Sequence, residues 1–287
     1  MDRFILNLCP TGMIPTKKKV PALPTTPSEI AADAKRCRDA GASIVHLHAR
    51  DSAENPVWHK EVFSEIVERV LDAAPDIIVC VTTTGRSWAD VERRTDALRL
   101  LGRLKPEMAS LTLGSMNFPK AASINAPDTI SALAKAMLDL SIVPELEVFD
   151  AAMADYSHVL IERGLLRAPL YFNILLGSVG AAAFNARNIA CILDALPHGS
   201  TWALAGIGRH QLHANVLSLT LGGNVRVGLE DNPYIDWSSK TGASNPQLVE
   251  RLVKIAREMG REPATPEEAR SIIGIGNPGR GQNGDGI

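Results

Sequence analysis

At 287 residues, 45% of them hydrophobic and with a mean hydropathy near zero, the chain is long enough for one large α/β domain or two modest ones and can bury a sizeable core. A formal net charge of −2 supplies no global field for nucleic acid. The four cysteines, Cys9, Cys37, Cys80 and Cys191, are widely spaced without a C-x-x-C, which argues against a disulfide frame and a thiolate zinc site.

Read in chain order, short apolar runs alternate with helix-period segments. The predicted strands are residues 3 to 9 (RFILNLC), 43 to 48 (SIVHLH), 77 to 83 (IIVCVTT), 108 to 113 (MASLTL), 144 to 149 (PELEVF), 170 to 176 (LYFNILL), 201 to 206 (TWALAG) and 224 to 229 (NVRVGL). Amphipathic stretches such as 27 to 41, 60 to 75 and 245 to 260 follow them as packing helices. Thr26-Pro27 with Glu29, and Thr265-Pro266 with Glu268, each order a cap, a first-turn proline and a capping-box glutamate, while Gly41 and Gly260 are natural stops. Eight strand-helix units in this length favour a single-domain (β/α)8 TIM barrel over an open doubly wound sheet. The barrel is expected over residues 1–273, with a glycine-rich flexible tail at 274–287. The proline-rich stretch from Pro10 to Pro27 is long enough to arch over the barrel mouth, and its Lys17 to Lys19 run reads as solvated loop or a local anion contact. No signal-peptide pattern occurs and no apolar run approaches about 18 residues, so a cytoplasmic protein without a membrane partner is expected.

In such a barrel the strand C-termini should carry the chemistry. His46 and His48, two apart on the second strand, point to one face and converge as half of a metal site, or else serve as one core and one edge histidine. Glu230, at the end of the eighth strand, can complete a two-histidine, one-carboxylate set with an open position, which suits zinc. Alternatively, Glu230 and Asp231 cap a helix or form a surface ion pair. Arg50 and Asp51 read as ordinary loop residues. Glu145 and Glu147 share one face of the fifth strand, and Arg226 sits on the apolar eighth. A buried Arg226–Glu147 pair is either structural or a means of aiming a guanidinium at a substrate oxygen. The stretch Gly206 to His213 (GIGRHQLH) offers glycines, a helix N-terminus and Arg209 for a phosphate, and His210 with His213 is an alternative metal pair.

Several long stretches resemble one family: AGASIVHLHARD, PEMASLTLGSMNF, PELEVFD, GSTWALAGIGRHQ and GGNVRVGLEDNPYI. They are similar to the β-keto acid cleavage enzymes, over residues 3 to about 270. The resemblance implies a zinc-bearing (β/α)8 barrel, one Zn2+ per subunit, usually a homotetramer. Its implied reaction condenses a β-keto acid with acetyl-CoA and releases acetoacetate and a new acyl-CoA. By motif match His46, His48 and Glu230 correspond to metal ligands, and Asp231, Arg226 and Glu147 to catalytic positions. Thr82 or Thr83 corresponds to a substrate-contacting residue, with Ser110 and Asn117 as further contacts, and Gly206, Gly208, Arg209 and His210 as the expected CoA region. One departure stands out: Ile14 occupies the place where the member acting on a keto-aminohexanoate has a glutamate. That replacement favours a neutral or anionic substrate tail over a cationic one, and Arg86, just past the third strand, hints at an anionic tail or else faces solvent. Two other classes compete, a metal-dependent hydrolase or aldolase on the same barrel and a non-catalytic ligand-binding barrel.

Overall fold

The computed structural model describes residues 2–119 and 121–276. Eight parallel strands close into a barrel in sequence order: β1 (Leu6–Leu8), β2 (Ile44–Leu47), β3 (Ile78–Val81), β4 (Met108–Thr112), β5 (Val143–Val148), β6 (Tyr171–Leu176), β7 (Thr201–Gly206) and β8 (Asn224–Val227), with β8 pairing back onto β1. All eight predicted strands are present; β7 has the predicted bounds, β5 is shifted by one residue, and the other six are trimmed at one or both ends. The fold expectation holds.

The outer layer consists of α1 (Pro27–Ala40), α2 (Lys60–Ala73), the single turn α3 (Val91–Arg94), α4 (Pro127–Asp139), α5 (Ala151–Glu162), α6 (Ala186–Ala195), α7 (Gln211–Thr220) and α8 (Asn245–Glu258). Both predicted capping boxes form, at Thr26 with Glu29 and at Thr265 with Glu268, where a side-chain oxygen and a glutamate satisfy backbone donors that a helix start leaves free. Gly41 ends α1, as expected.

The bore of the barrel is graded along its axis, and the strand period of two is the cause. Inward-facing Ile5, Ile44, Ile78, Met108, Val143, Tyr171 and Ala203 form a dry apolar layer at the N-terminal end. Two residues further along the same strands come Asn7, His46, Cys80, Ser110, Glu145 and Asn173, all of them buried. Register keeps these residues level: His46 lies opposite Cys80, Glu147 opposite Thr112 and Asn173, and Arg226 opposite Asn7.

A last helix, α9 (Pro266–Ile273), packs Ala269 and Ile273 into the apolar layer and so plugs the base. Of the predicted tail, Gly274 ends α9 in a left-handed conformation and Ile275 packs against the same layer; residues 277–287 lie outside the described residues. Among the described residues no helix is long and apolar enough to cross a membrane.

Ile273 is fully buried in the plug. Ile273→Ala is therefore expected to lower unfolding free energy by about 2–5 kcal/mol, read from urea denaturation, because the rigid strand layer around it can collapse only partly into the space left.

Candidate active site

The C-terminal ends of β8 and β1 meet across very short gaps, and that closeness builds the mouth. A Cβ on Gly228 would fall 2.0 Å from the Cys9 carbonyl oxygen, and one on Gly12, whose φ is +61°, would fall 2.5 Å from Cγ of Glu230. Only glycine fits at either point. Arg50 then ties the loop after β1 in place by donating to the carbonyls of Thr11 and Gly12. Arg50 thus makes the ordinary loop contacts expected of it, and Gly12 brings the start of the proline-rich stretch against Glu230. Asp51 caps its own loop through the amides of Ala53 and Asn55.

On β2, His46 and His48 converge as the strand period requires, with their Nε2 atoms 3.2 Å apart. Nδ1 of His46 lies 2.6 Å from Oε2 of Glu145, the inward residue of β5. Burial opposes charge on this ring, but Glu145 outweighs it and pulls the imidazole up to about 9. Glu145 is itself held down at about 2 against the effect of burial, by His46 and by amide donors from Asn7 and, at 2.6 Å, Asn173. This contact fixes the His46 ring with Nδ1 donating to Glu145 and Nε2 facing His48 and Glu230, where a metal ion would take the place of the second ring proton. Burial pushes His48 in the other direction, toward the neutral ring.

Arg226 on β8 is the largest fully buried side chain and binds three carboxylates at once. Nη2 meets Oε1 of Glu230 at 2.8 Å, Nε meets Oδ2 of Asp231 at 3.1 Å and Nη1 meets Oε1 of Glu147 at 3.2 Å. Burial alone would favour neutral acids here. Against the effect of burial, His48 first and then Arg226 hold Glu230 well below the ordinary carboxylate range. Asp231 and Glu147 go the other way: burial raises both, and Arg226 offsets it only in part. The Cys9 thiol also donates to Oδ2 of Asp231 at 3.1 Å, and Thr112 donates to Oε2 of Glu147 at 2.8 Å.

His46, His48 and Glu230 offer three ligand atoms within 4.8 Å of one another. Oε2 of Glu230 is buried without a hydrogen-bond partner among the described residues, although a buried carboxylate oxygen ordinarily has one. Two imidazole nitrogens facing each other beside an unsatisfied carboxylate oxygen form a donor set that fits a divalent cation. A second group, His46, Cys80 and Glu145, is equally compact but is closed by its own hydrogen bonds. There the Cys80 thiol donates to Glu145, and burial drives its pKa well above the ordinary thiol value, so no thiolate is at hand.

The other predicted residues fall in different places. Thr83 is buried and occupied, donating to the Ser110 carbonyl while its amide donates to the Ser110 hydroxyl. Thr82 Oγ1 accepts from the Thr84 amide, which leaves its own proton free to donate. Asn117 is exposed on the short strand Met116–Asn117, and Ile14 is exposed to 61% on the loop after β1. Gly206 and Gly208 flank a tight turn, with Arg209 exposed and His210 stacked beside Phe184 at 5.2 Å. His213 bonds the Arg209 carbonyl, and His210 and His213 form no metal-ligand group among the described residues.

Residues the sequence left unassigned turn out to support the site. Cys9 and Cys80, given no task there, each donate to a site carboxylate. Glu145, placed on the right face but given no task, holds His46, and Asn7 and Asn173 hold Glu145. The available signal was polarity on an apolar strand, two residues before the mouth.

Comparison with known proteins places this arrangement in context. A family model described as beta-keto acid cleavage enzyme matches residues 3–275. A 3-keto-5-aminohexanoate cleavage enzyme of Fusobacterium nucleatum is 39% identical over 277 residues, 96% of this chain and 99% of the relative. A 3-oxoadipate:acetyl-CoA acetyltransferase of Cupriavidus necator is 36% identical over 274 residues, 94% of each chain. Among solved structures, the apo structure of ObcA superposes with a TM-score of 0.77 at 22% identity, covering 89% of this chain and 66% of that longer one, which speaks for the fold alone.

Replacing Arg226 by Met strips the counter-charge from three buried carboxylates. A loss of about 3–5 kcal/mol in unfolding free energy is expected at neutral pH, since breaking a buried ion cluster from one side leaves its partners unpaired. Chemical denaturation with a circular-dichroism check of the folded state measures it.

Proposed function

This chain belongs to the beta-keto acid cleavage enzyme family, and from that premise we propose that it condenses a β-keto acid with acetyl-CoA to release acetoacetate and a new acyl-CoA, with its chemistry at the barrel mouth. The observation that carries the reading is a single guanidinium, Arg226, holding Asp231, Glu147 and Glu230 within 3.2 Å beside the two histidines. One zinc ion per subunit, held by His46, His48 and Glu230, would supply Lewis-acid stabilisation of the enolate formed from the substrate.

In this reading Asp231 removes the proton between the keto and carboxylate groups. Its contacts with Arg226 and Cys9 both fall on Oδ2, so Oδ1 is the atom assigned to the proton. The upward push from burial suits the role, because a more basic carboxylate is a better proton acceptor near neutral pH. Arg226 uses three of its five N–H groups on carboxylates and retains one on each terminal nitrogen for the oxyanions of the thioester and retro-Claisen steps. Glu147 fixes the angle of the guanidinium and is itself fixed by Thr112. Of the two threonines after β3, Thr82 is the better candidate for the substrate, since Thr83 is spent on Ser110.

Ile14 offers no counter-charge to a cationic tail, so the reading favours a neutral or anionic tail; the Fusobacterium relative is named for an amino-substituted substrate and the Cupriavidus relative for 3-oxoadipate. The turn through Gly206 and Gly208, with Arg209 and His210, is the assigned CoA region, supported by the N-terminus of α7 that it opens. A homotetramer is carried over from the family resemblance alone.

The test supplies purified, metal-quantified protein with β-keto acids bearing neutral, anionic and cationic tails, with and without acetyl-CoA, and reads products by mass spectrometry. Acyl-CoA and acetoacetate are expected only when acetyl-CoA is present; product formed without it would replace this reading with a metal-dependent hydrolase or aldolase. Asp231→Asn is expected to lower kcat by roughly 10²–10⁴ with zinc content unchanged. Glu145→Gln is expected instead to weaken zinc by about 10–100-fold in a chelator competition, because it loosens the ring of a ligand without touching the ion.

A further inference from the structure

Arg86 stands just past β3 at the mouth, and its guanidinium makes no ion pair and no side-chain hydrogen bond among the described residues. Nε is buried without a partner. Cζ lies 3.5 Å from the ring centroid of Phe118, which is braced edge-on by the buried Phe149 at 6.1 Å. One face of the cation is thus covered by a fixed aromatic platform, and its N–H edge is what remains for a partner. The charges that act on it, besides burial, are those of Glu230, Glu147 and Asp231. All three are already in direct contact with Arg226, so none is free to pair with Arg86.

The loop that presents Arg86 is held from behind. Arg94, itself buried, donates from Nε to the Thr83 carbonyl and from Nη2 to Asn125. Its Nη1 lies so close to Gly85 that a Cβ there would be 2.7 Å away. Arg94 is therefore a positioning residue. Arg86, one step beyond that clamp, has no counter-ion in contact among the described residues.

Resting on the cleavage reading above, we propose that Arg86 is a specificity determinant that binds the terminal carboxylate of a β-keto dicarboxylic acid. A planar guanidinium stacked on a ring presents two parallel donors that match a carboxylate. A methyl-ended tail leaves this half-buried cation unpaired, and an ammonium-ended tail meets it as a like charge. A site built around a polar group rejects the analogue lacking that group far more strongly than an apolar pocket rejects a shape change. A phosphate of CoA shares the anionic chemistry, and the test separates it.

The test compares kcat/KM for six-carbon 3-oxo acids ending in carboxylate or methyl, with full-length, metal-quantified protein and saturating acetyl-CoA. The wild-type protein is expected to prefer the dicarboxylate, and Arg86→Met to shrink that preference by roughly 10–100-fold, with Arg86→Lys in between. If R86M does not fold, the wild-type ratio and the lysine variant decide. Preference for the methyl-ended acid overturns the inference and leaves the cleavage reading standing. A raised KM for acetyl-CoA with unchanged acid selectivity also overturns it, moving Arg86 to the cofactor. No acyl-CoA from any acid removes the reading itself and the inference with it.

Discussion

A guanidinium sealed inside a barrel has to be neutralised where it stands, and the mouth of this protein is organised around meeting that demand at Arg226. Isolating such an ion from water costs several kcal/mol even after relaxation, so it persists only with partners of good geometry. Three carboxylates supply that here, from β5 and from the turn after β8. Their grouping has a second consequence: one cation cannot fully offset three anions that also repel one another. Burial first, and then a neighbouring carboxylate (Glu230 for Asp231, Glu145 for Glu147), raises Asp231 and Glu147, and Oε2 of Glu230 keeps no partner among the described residues. A cation between Glu230 and the histidines would relieve that imbalance, which makes the metal reading an electrostatic one as much as a matter of ligand spacing.

The same demand repeats one layer deeper. Glu145 is fully buried, and its oxygens are covered by His46, Asn7, Asn173 and Cys80. Four donors on its two oxygens fix Glu145 in place, although Oδ1 of Asn7 and of Asn173 is left without a partner among the described residues. His46 thereby has its ring orientation chosen by a strand on the far side of the bore. The dry layer beneath, closed by α9, allows this polar load to be placed above it: the base contributes apolar burial, and the mouth carries the groups whose desolvation opposes folding.

Much of this was legible in the sequence because the two periods that generate it are local. Strand alternation places His46 with His48 and Glu145 with Glu147 on shared faces, and a proline after a capping threonine marks where α1 and α9 start. Partner choice was not legible. That Glu145 serves His46 rather than Arg226, and that Cys9 serves Asp231, depends on which strands face each other across the bore, a separation of 99 and 222 residues respectively. The strand ends were over-extended for a related reason. Residues such as Thr82 and Thr83 continue the apolar run, but past Val81 side-chain bonds take over from the ladder, Thr83 to Ser110 of β4 and Thr82 Oγ1 to the Thr84 amide.

The two arginines at the mouth divide along the same physical line. Arg226 has its carboxylates built in, so its position is fixed before any ligand arrives, which is what a group that stabilises developing charge requires. Arg86 has a surface to rest on and no counter-ion in contact, so its electrostatic balance depends on what enters. Exchanging the two arrangements would defeat both roles: a saturated Arg86 would discriminate nothing, and an unsaturated Arg226 would be drawn to the substrate's ground-state carboxylate as readily as to the charge formed in reaction. On the proposed reading, the unequal sharing of four carboxylates separates a fixed cation from one left to read the substrate.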